Sequence, residues 1–165
     1  MERKPFVAVI GGPKAGKSTV IRSLTGCARG TPRHGQVVRD NSKGSEIYVI
    51  DKSPQESGLT LSELKWVLDR NLRSRSILGF VIATQPRQTR SRTSMTQIFE
   101  TVSKRSNLRP IAVMLDPPYH GTADPKSHQD VQTRLGRFGI NVRRIDGRRF
   151  AHLSACAIRK ISNLP

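Results

Sequence analysis

The sequence predicts a single α/β domain in which helices cover both faces of a mostly parallel, six-stranded sheet. Short apolar runs bounded by turn residues, typical of buried parallel strands, recur along the chain. Stretches whose apolar residues have helical spacing separate these runs. One early pair of strands flanks a turn and adds a single antiparallel strand. This alternation indicates a three-layer α/β/α sandwich.

The first predicted elements are a buried strand, a helix and an antiparallel hairpin. Residues 6–10 are five apolar residues that end at a glycine pair, which predicts a buried strand. Residues 18–25 predict a helix, because their apolar positions fall on one face. Residues 36–40 and 46–51 flank the turn signal at 41–44 and predict an antiparallel hairpin.

The middle of the chain carries two capping boxes, a sequence pattern that marks helix starts. Thr60 and Glu63 open a helix that runs to about Arg73. The apolar run 77–83 predicts another buried strand. The second capping box, at 94–97, precedes a further helical stripe.

The last elements repeat the strand and helix alternation. Residues 110–115 predict a strand that ends at Asp116. Asp124 followed by a proline is typical of a helix start. Residues 140–145 predict an edge strand, and residues 150–161 a final helix. No linker or repeat interrupts the order, so residues 1–165 are predicted to be one domain.

Composition narrows the class of protein. No apolar stretch approaches the roughly 20 residues that a membrane span requires. Cys27 and Cys156 lie far apart without ligand spacing, which favours a reducing, cytoplasmic location. Lysine and arginine number 29 against 12 aspartate and glutamate, a net charge of +17. Such a surplus favours a polyanionic partner such as RNA or the ribosome, with a merely basic surface as the alternative. The sequence leaves the oligomeric state open.

The segment from Gly11 to Ser18 carries the chemistry. It matches G-x-x-x-x-G-K-[ST] at every fixed position and joins a predicted strand to a predicted helix. Glycines allow the main chain to approach phosphate closely, while the amides and the helix N-terminus attract an anion. Lys17 is expected to neutralise the outer phosphates, and Ser18 to ligate Mg²⁺. The residues expected to contact the nucleotide are Gly12, Pro13, Lys14, Ala15, Gly16, Lys17, Ser18 and Thr19.

Asp51 is the second candidate for the metal site. It follows an apolar run and is expected where a strand leaves the sheet beside the loop. A carboxylate at that edge suits Mg²⁺ coordination through water. The alternative is an ordinary aspartate at a strand end.

Residues 11–19 resemble the G-x-P-N-x-G-K-S-T loop of translation-factor-type GTPases, especially the Era, EngA and TrmE group. Residues 23–26 resemble the end of the first helix of those proteins, and residues 31–34 their Thr-Thr-Arg-His switch segment. The resemblance implies a P-loop NTPase fold with Ras-like GTPase topology. It also implies Mg²⁺ with GTP/GDP, and assigns Thr31 to the metal together with Ser18 and Asp51.

Residues 51–56 can be aligned with the D-x-x-G-Q-E segment of Ras-like relatives, which implies that Gln55 orients an attacking water. Pro54 replaces the glycine of that segment and has no N–H to contact the γ-phosphate. The guanine-reading N-K-x-D is reduced to Asp116, which is the candidate base reader. ATP/ADP therefore remain alternatives to GTP/GDP, and hydrolysis stays open.

Two other functions fit the sequence. A small P-loop kinase would use the arginines at 87, 90 and 92 to close over phosphates while it phosphorylates a metabolite or nucleotide. A non-catalytic module that binds nucleic acid or protein would keep the fold without its enzymatic activity. If the protein is such a module, its affinity for RNA should fall steeply with salt and should not change when nucleotide is added. RNA binding that depends on nucleotide would instead favour the NTPase.

Overall fold

The structure, a computed structural model, describes residues 2–27, 32–40, 45–87 and 92–164. Six strands form one sheet in the order β2-β3-β4-β1-β5-β6. The strands are β1 Lys4–Ile10, β2 Gln36–Asp40, β3 Ser45–Ile50, β4 Ile77–Thr84, β5 Leu108–Leu115 and β6 Val142–Ile145. β2 pairs with β3 in antiparallel fashion, and the other neighbours are parallel. The predicted α/β class, with its mostly parallel six-stranded sheet and one antiparallel strand, is confirmed.

Helices cover both faces of the sheet. They are α1 Lys17–Thr25, α2 Pro54–Ser57, α3 Leu61–Leu72, α4 Met95–Ser103, α5 Pro125–Gly136 and α6 Ala151–Ser162. Successive residues of β1 point to opposite faces. Phe6 and Ile10 pack in the core beneath α3, α4 and α5, whereas Val7 and Val9 pack in the core beneath α1 and α6.

Local sequence explains where the helices begin. The Thr60 hydroxyl accepts a hydrogen bond from the Glu63 amide, and the Ser94 hydroxyl accepts one from the Gln97 amide, as both capping boxes predict. Asp124 caps α5 by accepting from the Ser127 amide at 3.1 Å. The predicted turn at 41–44 lies outside the described residues.

The order of the central strands differs from the Ras-like adjacency that the resemblance implies. In Ras-like topology β3, the strand that Asp51 follows, would lie beside β1, the strand that leads into the loop. In the structure β4 lies between β3 and β1 and pairs with both. All but one of the eight residues of β4 are buried. A strand that is apolar on both faces is most stable with a neighbour on each side.

Candidate functional site

The segment Gly11–Ser18 lies at the carboxyl edge of the sheet, where β1 leads into α1. The Gly11 amide donates to the Thr84 carbonyl at 3.1 Å, which ties the start of the loop to the end of β4. Lys14 and Gly16 both adopt left-handed conformations, with φ of 58° and 89°. A lysine in the left-handed region is strained, so the surrounding structure must hold the loop in this conformation.

Two glycines of the loop are required by space. A Cβ at Gly11 would stand 2.8 Å from the Ala15 Cβ, closer than real Cβ contacts come. At Gly16 a Cβ would meet the Tyr119 Cβ at 3.2 Å, in addition to the unfavourable φ. A Cβ at Gly12 meets nothing within 4 Å, so the first two glycines of the loop have different roles.

Lys17 is a buried cation. Its side chain is only 4% exposed, and its Nζ donates to the Gly12 carbonyl at 2.7 Å. Burial lowers the pKa of the ammonium, and the negative charge of Glu56 partly offsets that effect. The first amides of α1 have no carbonyl within the helix to bond, and its N-cap, Gly16, offers no side-chain acceptor. The loop therefore concentrates positive potential on one small volume.

Ser18, in the first turn of α1, and Asp51, just after β3, come together although β4 lies between β3 and β1. The Ser18 hydroxyl donates to the main-chain carbonyl of Asp51 at 2.8 Å. Asp51 is 2% exposed, and burial raises the pKa of its carboxyl, opposed by the positive charges of Arg22 and Lys52. The described residues contain no cluster of three or more His, Cys, Asp or Glu side chains. Thr31, the third predicted metal ligand, lies outside the described residues.

The predicted switch segment forms the short helix α2, which the sequence did not indicate. Glu56 accepts hydrogen bonds from the amide and hydroxyl of Ser53, at 3.1 Å and 2.8 Å. Partial desolvation alone would raise the pKa of Glu56, but the Ser53 bonds and the charge of Lys17 lower it overall. Glu56 is therefore ionised beside the Lys17 ammonium.

Gln55, the predicted water-orienting residue, is buried with both ends of its amide bonded. Its Nε2 donates to the Thr93 carbonyl at 2.8 Å, and its Oε1 accepts from the Gln85 amide at 3.3 Å. The main-chain carbonyl of Gln55 also accepts from Arg92. In this arrangement Gln55 joins α2 to the ends of two neighbouring segments, and its role toward water stays a prediction.

A cavity of about 390 Å³ opens over the loop. It is lined by the residues from Lys14 to Thr19, by Glu56, and by Tyr119 and His120. The two aromatic rings meet edge to face, with centroids 4.5 Å apart. Tyr119 is 54% exposed, so one ring beside the loop offers a free surface.

Main-chain bonds hold the Tyr119 segment in place. The Tyr119 amide donates to the Ala15 carbonyl at 3.3 Å. Two residues earlier, the Pro117 carbonyl accepts from the Gly147 amide at 2.8 Å. The segment thus bridges the loop and the turn that follows β6.

A second, larger cavity of about 1130 Å³ adjoins the other end of the loop. Gly12 and Pro13 form part of its wall, together with Arg87 after β4 and Asp116 after β5. Parallel strands bring these positions to one edge of the sheet, the usual place for ligands in such folds. The kinase interpretation grouped Arg87 with the arginines at 90 and 92. Arg90 lies outside the described residues, and Arg92 donates to the main-chain carbonyl of Gln55.

Asp116 is a buried carboxyl in the wall of this larger cavity, 2% exposed. Its Oδ1 accepts from the Asp124 amide at 2.9 Å. Arg144 Nε lies 2.9 Å from Oδ2, but its N–H is directed to the main-chain carbonyl of Asp116 at 3.1 Å. Oδ2 consequently has no aligned hydrogen-bond donor among the described residues.

Sequence reasoning identified the loop, Asp51 and Asp116, and the structure brings all three to the carboxyl edge. It missed Glu56 as a neighbour of Lys17 and Tyr119 as a cover over Gly16. Glu56 stands three residues after Ser53, with Pro54 between them. This spacing of serine and glutamate is a capping-box signal that the sequence already contains. No local signal marks Tyr119, because a contact across 100 or so residues depends on the strand order.

Comparison with known proteins identifies the fold. No protein-family profile matches the chain, and no curated protein matches it. Among solved structures, it is similar to a de novo designed protein of the PLOOP2X3_50 fold, with a TM-score of 0.52 and 12% identity over 98% of this chain and 94% of that one. A second de novo designed protein, of P-loop NTPase fold, has a TM-score of 0.50 and 12% identity over 98% and 93%. These likenesses show a P-loop NTPase-like fold. No helix in the described part of the chain is long and apolar enough to cross a membrane.

Proposed function

We propose that the loop Gly11–Ser18 binds a nucleoside triphosphate with Mg²⁺. The observation that carries this proposal is the buried Lys17 ammonium inside a loop wound through two left-handed residues. A buried cation whose pKa is lowered by desolvation is costly unless an anion compensates it. Glu56 compensates the Lys17 cation only in part, and a polyphosphate supplies further negative charge at the helix N-terminus, which attracts anions.

The orientation of the phosphates follows from Lys17. In loops of this type the lysine reaches the β- and γ-phosphates while the amides surround the α- and β-phosphates. Lys17 Nζ lies 2.7 Å from the Gly12 carbonyl, so the terminal phosphate is expected at the Gly12 end. The nucleoside then extends toward Thr19, where Tyr119 and His120 offer ring surface for the base.

The residues present fit a magnesium ion. Ser18 and Asp51 would hold it, one through its hydroxyl and the other through water, with Thr31 as the third predicted contact. The ion supplies neutralisation of charge on the phosphate oxygens. The closeness of the Ser18 hydroxyl to Asp51, 2.8 Å at the main chain, supports this assignment.

Hydrolysis is expected to be slow. Attack of water on the γ-phosphate requires a group that orients the water. Pro54 has no N–H to offer, and the amide of Gln55 already bonds to Thr93 and Gln85. We therefore propose a protein that binds the triphosphate and turns it over little.

Calorimetric titration with ATP, GTP, ADP and GDP, each with and without Mg²⁺, tests the proposal. We expect one nucleotide pair to bind to the wild type, and Lys17→Met to abolish that binding while it keeps the aliphatic packing. Lys65→Ala, at an exposed lysine on α3, is the matched control and should bind as the wild type does. Equal affinity of the wild type and Lys17→Met would refute the assignment. The same titration decides between guanine and adenine. Asp116, the base reader predicted from the sequence, lines the cavity at the Gly12 end of the loop, away from the ring surface proposed for the base, so Asp116→Asn should leave the base preference unchanged.

Phosphoryl transfer to a second substrate is the alternative that one observation favours. The 1130 Å³ cavity begins at Gly12, the end of the loop where the terminal phosphate is expected, and Asp116 lines it. An acceptor hydroxyl there would attack the γ-phosphorus as the bond to the leaving nucleoside diphosphate breaks. Oδ2 of Asp116 would take the hydroxyl proton.

An assay that follows radiolabel from the γ-phosphate tests the alternative. With nucleoside monophosphates and sugars as acceptors, we expect a labelled product from the wild type and none from Asp116→Asn, although both bind the triphosphate. Asp69→Asn, at an exposed residue on α3, serves as the control. Label that passes only to water would favour the first proposal over this one.

A further inference from the structure

One surface outside the loop combines free charge with free aromatic area. It runs from the end of β6 to the first turn of α6, and we call it the β6–α6 surface. Its exposed side chains include Arg143, Arg148, Arg149, Phe150 and His152, whereas the exposed Arg144 is directed to Asp116. The nucleotide proposal uses none of these residues.

Phe150 is the most exposed large apolar side chain of the described residues, at 76%. Its ring stacks nearly parallel to that of His152, with centroids 5.8 Å apart and an interplanar angle of 19°. The pair forms a flat platform whose outer face is open. The open π-face of Phe150 can stack against another planar group.

The charge around Phe150 is positive and only partly compensated. Asp146 is the one acid between residues 140 and 153, and it pairs with Arg148 at 3.2 Å. Within the described part of the chain, neither Arg143 nor Arg149 forms a salt bridge. α6 also begins here, at Ala151, without a side-chain cap, and its dipole adds to the positive potential. A partner that carries negative charge fits this surface.

We infer that the β6–α6 surface binds single-stranded RNA. Arg143 and Arg149 contact phosphates, and an unpaired base stacks on Phe150. A duplex hides the faces of its bases, and an acidic peptide supplies charge without a planar ring. RNA is the cellular polyanion that ordinarily presents unpaired, splayed-out bases, and proteins read these by stacking on aromatic and arginine side chains. The inference does not depend on nucleotide binding at the loop.

The test is fluorescence anisotropy with a labelled, unstructured RNA of about 12 nucleotides, a length in the range of known single-strand sites. We expect Phe150→Ala to weaken binding about 5- to 150-fold, the range for loss of one stacked base. Trp66→Ala is the matched control, because Trp66 is 57% exposed and Arg70 lies 5.2 Å over its ring on a different surface. This control should bind RNA as the wild type does.

Charge is tested through salt. Arg149→Gln should reduce the slope of log affinity against log salt by about 0.7, the effect of one lost phosphate contact with a single strand. Circular dichroism verifies that each variant is folded, which is expected because all three substituted side chains are exposed.

Three results would overturn the inference. The first is no binding of the RNA by wild type at about 0.1 M salt, where charge contacts remain effective. The second is equal affinity of the wild type and Phe150→Ala. The third is tighter binding of duplex RNA, or of DNA of the same sequence, than of the single-stranded RNA.

Discussion

Gly11→Ala should destabilise the folded protein, while Gly12→Ala should not. The added Cβ at position 11 would stand 2.8 Å from the Ala15 Cβ, whereas carbon atoms pack best at about 3.5–4.0 Å. Relief of this contact requires the loop to shift, and overpacking of this kind costs about 1–3 kcal/mol. At position 12 the Cβ meets nothing within 4 Å.

The pair of variants isolates the contact. Neither glycine has a positive φ, and both substitutions reduce the entropy of the unfolded chain to the same extent. The difference between the two variants therefore measures the clash alone. It should appear as a gap of about 2–12 °C in melting temperature for a chain of this size. In Gly16→Ala the positive φ of +89° should lower the free energy of unfolding by about 1–2 kcal/mol, in addition to the cost of its contact with the Tyr119 Cβ.

Urea unfolding followed by far-ultraviolet circular dichroism, in buffer without nucleotide, measures the three free energies of unfolding. Agreement of Gly11→Ala and Gly12→Ala within about 0.5 kcal/mol, the usual scatter of neutral substitutions, would refute the described winding of the loop. A lower stability of Gly12→Ala than of Gly11→Ala would do the same.

Three further predictions follow from the titratable groups. The Thr60 amide, followed by His34, lowers the pKa of Glu63 from 4.5 to about 2. The stabilisation of the folded state by ionised Glu63 is therefore complete above pH 4.5 and is lost as pH falls toward 2. In a plot of unfolding free energy against pH, Glu63→Gln should therefore reduce the loss of stability in acid. Because burial raises the pKa of Asp51, Asp51→Asn should raise stability at neutral pH. Loss of the carboxylate that holds Mg²⁺ through water should also weaken the Mg²⁺ dependence of nucleotide binding, and unchanged Mg²⁺ dependence in a titration would contradict this. Burial also raises the pKa of the Cys27 thiol, so a thiol reagent should modify exposed Cys156 first and Cys27 only on unfolding, and equal rates for the two would be the contrary result.

The sequence predicts the local elements well because their signals are local. The capping boxes at Thr60 and Ser94 mark their helices correctly, and the helix start at Asp124 and Pro125 is also confirmed. α2 was missed, because its four residues are too few for periodicity to indicate a helix.

The order of strands could not be read in the same way. Which parallel strand lies beside β1 depends on contacts between distant parts of the chain, and several apolar runs fit equally well. The insertion of β4 between β1 and β3 therefore appears only in the structure. Asp51 still reaches Ser18, so the chemistry predicted for this pair remains possible although the assumed adjacency does not hold.

The bridge formed by Pro117 and Tyr119 has a consequence for sequence variation. Both of its hydrogen bonds, to Ala15 and from Gly147, are made by main-chain atoms. The Tyr119 side chain makes neither bond, so the connection does not depend on it. Position 147 does matter for the connection, because a Cβ there would stand 2.9 Å from the Pro117 oxygen. Across divergent versions of this chain, glycine should persist at 147.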